Sequence, residues 1–209
     1  MEVKETYEVI SDSFDKTRYK VWPCVANFLN SLPEHSYGLE VGCGNGKNML
    51  YRKNLKLQGI DICSSFVQKC KEKNLSVDMG TMISLPYEDN SFDFVYCIAA
   101  LHHLETSELR CKAIQEMIRV CKCGGKIFIL VWAFEQESDS KRKFETQDTN
   151  VSWKDENTKT IAYRFYHVYT KNELESEISS SSEYIRIPIT IQNSFYEKGN
   201  YGVVFEKII

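Results

Sequence analysis

No apolar run in the 209 residues is long enough to span a bilayer. The opening MEVKETYEVI also lacks the apolar centre of a secretory signal. CxxC pairs are missing too. The eight cysteines (Cys24, Cys43, Cys63, Cys70, Cys97, Cys111, Cys121 and Cys123) are scattered among apolar neighbours. That pattern gives no zinc framework and suits a reducing compartment, where buried cysteine behaves as a small hydrophobe. Basic excess is absent as well: 26 Lys and Arg stand against 29 Asp and Glu, a formal net charge of −3. Nothing in the overall charge draws the chain to nucleic acid. With 43% hydrophobic and 26% charged residues, the expectation is one soluble, cytoplasmic domain over residues 1–209.

What is present is alternation, with no internal repeat. Residues 38–41, 57–60, 76–79 and 92–98 read as strands, and 126–132 (KIFILVW) as a central strand covered on both faces. Between them, residues 47–53 read as the start of a helix, and 64–72 as a helix capped by Ser64 or Ser65. Leu109, Ala113, Met117 and Val120 mark another helix, stopped by Gly124-Gly125. Residues 138–159 read as a long polar surface segment. Residues 170–178 read as a helix broken by serines 179–182, and 184–191 with 201–208 as a closing hairpin around Lys198-Gly199-Asn200. This order predicts a doubly wound, Rossmann-like α/β fold. The final hairpin points to a seven-stranded, mostly parallel sheet in the order 3-2-1-4-5-7-6, the class I methyltransferase arrangement.

The chemistry begins at EVGCGNGKN, residues 40–48. A phosphate-binding P-loop would end in Gly-Lys-Ser/Thr, but Asn48 follows Gly46-Lys47. The dinucleotide fingerprint fails by one residue at its third glycine. A ligand without pyrophosphate remains, and Asp61, ending the next strand, is placed to take two ribose hydroxyls. S-adenosyl-L-methionine (SAM) has that ribose, an adenine and no phosphate. Its expected contacts are Gly42, Cys43, Gly44, Gly46, Asp61, Ile62 and Ile98, with Thr81 and the Met82 N–H toward the adenine. Asp78 is expected to point elsewhere.

Arginine, histidine and aromatic residues concentrate in three places: TRYKVWP, His102-His103 and YRFYHVY. Such groups hold an anionic acceptor and stack a base. One of the two histidines faces the site, with His103 preferred. Strand alternation sets Arg164 and Tyr166 opposite Phe165; Tyr163 and Tyr169 read as packing residues. Trp132 either stacks a base or fills core, and Glu135 either orients an arginine or is solvated.

FDKTRYKVWP, EVGCGNGKN, LPYEDNSFDFVYCIAALHHL, VWAFEQE, QDTNVSW and YRFYHVYTKNEL together resemble the eukaryotic tRNA wobble-uridine methyltransferases over almost the whole chain. The resemblance implies SAM-dependent esterification of the carboxylate of 5-carboxymethyluridine in the anticodon loop. It implies Arg18, His103, Arg164, Tyr166 and His167 on the acceptor side. It also implies a heterodimer with a small zinc-binding activator protein, for which residues 76–79 offer an edge strand. Departures are Thr81 for the usual acid, Ser152 for proline and Tyr201 for tryptophan. Two further readings are a carboxyl or hydroxyl methyltransferase of small molecules and a SAM-binding scaffold without catalysis.

Overall fold

The structure is a computed structural model and describes residues 3–17, 20–154 and 159–208. The helices are α1 (Val3–Thr17), α2 (Pro23–Asn30), α3 (Ser64–Glu72), α4 (Ser107–Val120) and α5 (Glu173–Ile185). The strands are β1 (Tyr37–Val41), β2 (Lys56–Asp61), β3 (Ser76–Met79), β4 (Phe92–Ile98), β5 (Cys121–Trp132), β6 (Asp148–Lys154), β7 (Thr160–His167), β8 (Ile189–Tyr196) and β9 (Asn200–Lys207).

Seven strands form one sheet in the order β3-β2-β1-β4-β5-β9-β8, all running one way except β9, which is antiparallel to β5 and β8. This is the expected topology; the numbers differ because β6 and β7 intervene as a separate two-stranded sheet. Alternation along β4 and β5 places the core on both faces. Val95, Cys97, Ile127 and Ile129 pack with Ile114, Met117 and Ile118 of α4, while Phe94, Tyr96, Phe128 and Leu130 pack with Phe28 and Leu29 of α2. Strand order reverses between β1 and β4, which opens a crevice at their carboxyl ends.

Several local expectations are corrected. Residues 47–53 form turns rather than a helix: Leu50 N bonds Gly46 O at 3.3 Å, but the turn is not continued. Asn48 is instead drawn inward, donating to Glu40 Oε1 at 2.7 Å. Neither serine caps α3 through its own oxygen. Cys63 is the N-cap, and Glu8 of α1 accepts from Ser64 N at 2.6 Å and Ser65 N at 3.1 Å. A carboxylate from a distant helix thus meets the positive end of the α3 dipole. Helix α4 ends at Val120 because Cys121 is extended (φ −75°, ψ 138°), and Gly124-Gly125 instead fall within β5, Gly124 at φ +73°. The register there jumps from Phe92↔Cys121 to Phe94↔Lys126, a bulge.

Three more corrections lie in the second half. The polar segment 138–159 contains β6, which pairs antiparallel with β7. Helix α5 runs through serines 179–182, because Ser181 donates to Cys111 O at 3.3 Å and Ser182 to Ile187 O at 2.5 Å. Packing on α4 overrides their weak helix preference. Arg186, in the left-handed region at φ 56°, ends α5, so the following strand begins at Ile189 rather than at Tyr184.

Candidate active site

At the carboxyl ends of β1, β2 and β4 lies a cavity of about 580 Å³. The glycine loop forms one wall. Gly42 and Cys43 donate to Ile60 O at 2.9 and 3.1 Å, which pins the loop to β2. Gly42 has φ +70°, and a Cβ there would sit 2.4 Å from the Cβ of Ala100. No other residue fits. Gly44 also lines the cavity. Gly46 does not; it turns at φ +73° against Leu75 and Cys70, so its glycine serves loop packing.

Asp61 sits against this loop, accepting from Gly44 N at 2.7 Å and Cys63 N at 2.9 Å. Burial pushes its carboxyl upward, opposed by those N–H bonds, which favour the charged form. A carboxylate has about four acceptor positions, so capacity remains for ligand hydroxyls. Ile62, Thr81, Met82 and Ile98 line the same region. Thr81 Oγ1 accepts from Ile83 N at 3.4 Å. Asp78 turns away, taken by Gln58 Nε2 and Tyr87 OH. Burial raises the Glu40 carboxyl to about 8, and it accepts from Asn48 and from Tyr96 OH at 3.1 Å.

The opposite wall comes from the β6–β7 hairpin and a short 3-10 turn, Leu101–His103, just after β4. Arg164 and Tyr166, two apart on β7, face the cavity. Arg164 is 5% exposed, and its Nε is buried without a hydrogen-bond partner. Its guanidinium lies 4.9 Å from the Trp153 ring, 5.2 Å from Tyr166 and 6.0 Å from Tyr7. Among the described residues no carboxylate forms an ion pair with it. Tyr166 stacks on Trp132 with centroids 4.3 Å apart, and Arg142 lies 3.9 Å over the Trp132 ring.

Hydrogen bonding fixes both histidine tautomers. Carbonyl oxygens only accept, so His103 donates from Nδ1 to Phe165 O at 2.8 Å, and its Nε2 accepts from Tyr7 OH at 2.8 Å. Burial, aided by the charge of Arg164 and opposed by the Phe165 bond, pushes His103 down to about 4. His102 accepts from Trp132 N at Nδ1 (3.1 Å), leaving the proton on Nε2, which is buried and without a partner. Burial drives His102 well below its ordinary range. Both rings are therefore neutral near pH 7, and no imidazole lone pair on either is open to a ligand.

The structure does not bring His167 to the cavity wall. Its Nδ1 lies 2.6 Å from Asp148 Oδ1 and its Nε2 2.7 Å from Glu173 Oε1, joining β6, β7 and α5. Arg18 lies outside the described residues. Glu135 accepts from Tyr201 OH at 2.9 Å rather than holding an arginine. Tyr169 is buried and donates to Glu177; Tyr163 is exposed. The sequence did not show whether the first turns, around Tyr7 to Phe14, close over the cofactor; in the structure both residues line the cavity. Nor did it mark Ala99, held at φ 55° at the end of β4 on the cavity wall.

Sheet order, glycine loop and strand-end acid define a Rossmann-like, SAM-dependent class I methyltransferase. A family model described as "Methyltransferase domain" matches residues 39–129. The tRNA (carboxymethyluridine(34)-5-O)-methyltransferase of Schizosaccharomyces pombe is 34% identical, across 98% of this chain and 96% of its own. The chain belongs to that family. The Xenopus tropicalis relative of the same name is 31% identical over 99% of this chain, which spans 41% of the relative's length. In the Arabidopsis thaliana relative the matched portion is 34% of the length, at 42% identity. A Haloferax volcanii complex of the Trm112 methyltransferase activator with a methyltransferase aligns with a TM-score of 0.73 at 15% identity. It covers 100% of this chain and 98% of that one, a likeness of fold.

Proposed function

We propose that this chain methylates the carboxylate of 5-carboxymethyluridine at the anticodon wobble position of tRNA. The observation that carries the reading is Arg164, a buried cation with no ion-pair partner among the described residues, lining the same cavity as the glycine loop and Asp61. Burying an unpaired charge costs several kcal/mol in principle. The surrounding rings offset about 2 kcal/mol of that. An acceptor carboxylate supplies the missing counter-charge. Family membership supports the same substrate, since the relatives carry that activity in their names.

The walls suit SAM. Gly42 and Gly44 expose backbone, Asp61 offers acceptor positions for ribose hydroxyls, and Phe66, Ile62 and Met82 supply apolar surface. Cys43, Thr81 and Ile98 complete the contacts assigned to it, and Gly46 holds the loop from behind. Bound SAM supplies an electrophilic methyl group. The chain's part is alignment and drying of the site. A carboxylate is ionised at neutral pH and needs no general base. That fits two neutral histidines whose lone pairs are both engaged. Tyr166 offers ring surface to an extruded base and Trp132, covered by Tyr166 and Arg142, backs it; His103 positions Tyr7 and the Phe165 backbone, and His167 positions the hairpin. We assign Arg18 to the RNA side on its motif alone.

A small zinc-binding activator protein completes the reading. Strand β3 is the sheet edge, with Met79 62% exposed, and can accept a strand from a partner. All eight cysteines are free thiols, which supports a cytoplasmic setting. Among the described residues no helix is long and apolar enough to cross a membrane.

Replacing Arg164 tests the reading. Arg164→Ala should leave SAM affinity within about threefold while tRNA methylation falls at least about tenfold, roughly 1.4 kcal/mol. Arg164→Lys should not restore a bidentate contact. Full activity in a folded Arg164→Ala protein would return the residue to a packing role.

A further inference from the structure

A second groove, of about 680 Å³, opens on the outer side of the glycine loop. Among the described residues, Lys20, Lys47 and Lys73 line it against a single acid, Asp15. That is a local charge of +2 on a chain whose formal net charge is −3. Lys73 Nζ donates to Asp15 at 2.9 Å and to Asn45 O at 3.0 Å, which fixes the floor. Two large apolar side chains are left in the open there: Leu50 is 47% and Tyr51 42% exposed.

The Tyr51 hydroxyl accepts from Asn30 Nδ2 at 3.0 Å, which holds the ring in place. Among the described residues no other ring or cation is paired with it. Asn45 and Lys47 line both this groove and the cofactor cavity, so the two are continuous at the glycine loop.

We infer that this groove carries the single-stranded RNA next to the modified base, with the lysines meeting its phosphates and Tyr51 stacking a neighbouring base. The inference rests on the RNA-methylation reading above and extends it to a surface outside the catalytic cavity. Lysines spaced along a groove with an exposed aromatic ring are the chemistry of single-strand binding: charge follows the backbone and the ring takes any base. An acidic protein segment would satisfy the lysines but would leave Tyr51 without purpose. Continuity with the cavity supplies the geometry, because a base extruded into the cavity leaves its phosphates and neighbours at the rim.

The test uses the full chain supplied with the activator, an anticodon stem-loop RNA containing 5-carboxymethyluridine, and the free nucleoside as an acceptor lacking phosphates. Lys20→Ala and Tyr51→Ala change exposed or half-exposed residues, and thermal melts report their folding. The double variant should weaken stem-loop binding at least about tenfold. Lys20→Ala alone should lower the slope of log K against log salt by about 0.7. Tyr51→Phe should keep wild-type affinity, since stacking needs only the ring. SAM affinity and methylation of the free nucleoside should stay unchanged. Stem-loop affinity and salt slope within twofold of wild type in the folded double variant would overturn the groove alone. Equal losses on the free nucleoside would also overturn it, by placing these residues in the catalytic step. A wild-type chain that neither binds nor methylates the stem-loop would overturn the groove and the substrate reading together.

Discussion

The Tyr7 hydroxyl lies 2.8 Å from Nε2 of His103, ninety-six residues away, and joins helix α1 to the turn that ends β4. His103 in turn holds the Phe165 carbonyl, so one neutral imidazole ties together the lid helix, the sheet and the strand that carries Arg164. Tyr7→Phe leaves a buried acceptor unsatisfied, costing about 1–2 kcal/mol. Denaturant unfolding should show that loss. Methylation should fall while the substrate carboxylate contact persists. An unchanged midpoint would mean that water replaces the hydroxyl.

Glu8 latches α1 onto α3. Its carboxylate accepts from the backbone N–H and the hydroxyl of both Ser64 and Ser65. Burial opposes this, but the serine bonds win and hold Glu8 at about 2. Its folded value is depressed, so the latch is fully present above about pH 4.5 and is lost as pH falls through about 2. Hydrogen exchange should show α1 protected at pH 6 in the wild type and unprotected in Glu8→Ala. SAM affinity should drop with it, as Tyr7 and Phe14 leave the cavity wall.

Much of the fold was legible because it rests on periodicity. After Lys126, KIFILVW is apolar throughout since Phe128 and Leu130 face α2 while Ile127 and Ile129 face α4. The glycine-loop wall was legible for a different reason: backbone geometry demands Gly42, and the expected strand-end acid, Asp61, sits against Gly44 N. Strand β6 was hidden by its polarity, because its hairpin packs only partly against α1 and leaves most of its residues exposed or half-exposed. The serine run in α5 misled, since Ser181 and Ser182 find tertiary acceptors that no local rule reveals. Within YRFYHVY, alternation separated Arg164 and Tyr166 from Phe165. It could not show that Asp148 and Glu173 would occupy both nitrogens of His167.

His167 gives a pH signature. Burial lowers it, but the bonds to Glu173 and Asp148 outweigh burial and raise it above its ordinary value. A raised histidine contributes fully below about pH 6.5, and its contribution is lost as pH rises through the higher folded value. His167→Gln should therefore destabilise the chain by about 1–2 kcal/mol at pH 6, less at pH 9, with the exposed Asp148 contributing little. Thermal melts across that range decide it. A pH-independent difference would place the effect in packing instead.

On the cofactor side, Asp61→Ala removes the carboxylate that braces Gly44 and faces the cavity. SAM binding should weaken by about 2–3 kcal/mol. Titration calorimetry on the folded variant measures this directly, and an unchanged affinity would move the ribose elsewhere.

The central claim is that the methyl group ends on a carboxylate, and the product's bond tests it most directly. tRNA carrying unesterified 5-carboxymethyluridine is incubated with methyl-labelled SAM and this chain, supplied with the activator, and the labelled tRNA is then treated with mild alkali. An ester releases its label as methanol, and that release is the expected result. Label that stays on the nucleoside through alkali marks a ring or ribose methyl group and would contradict the account.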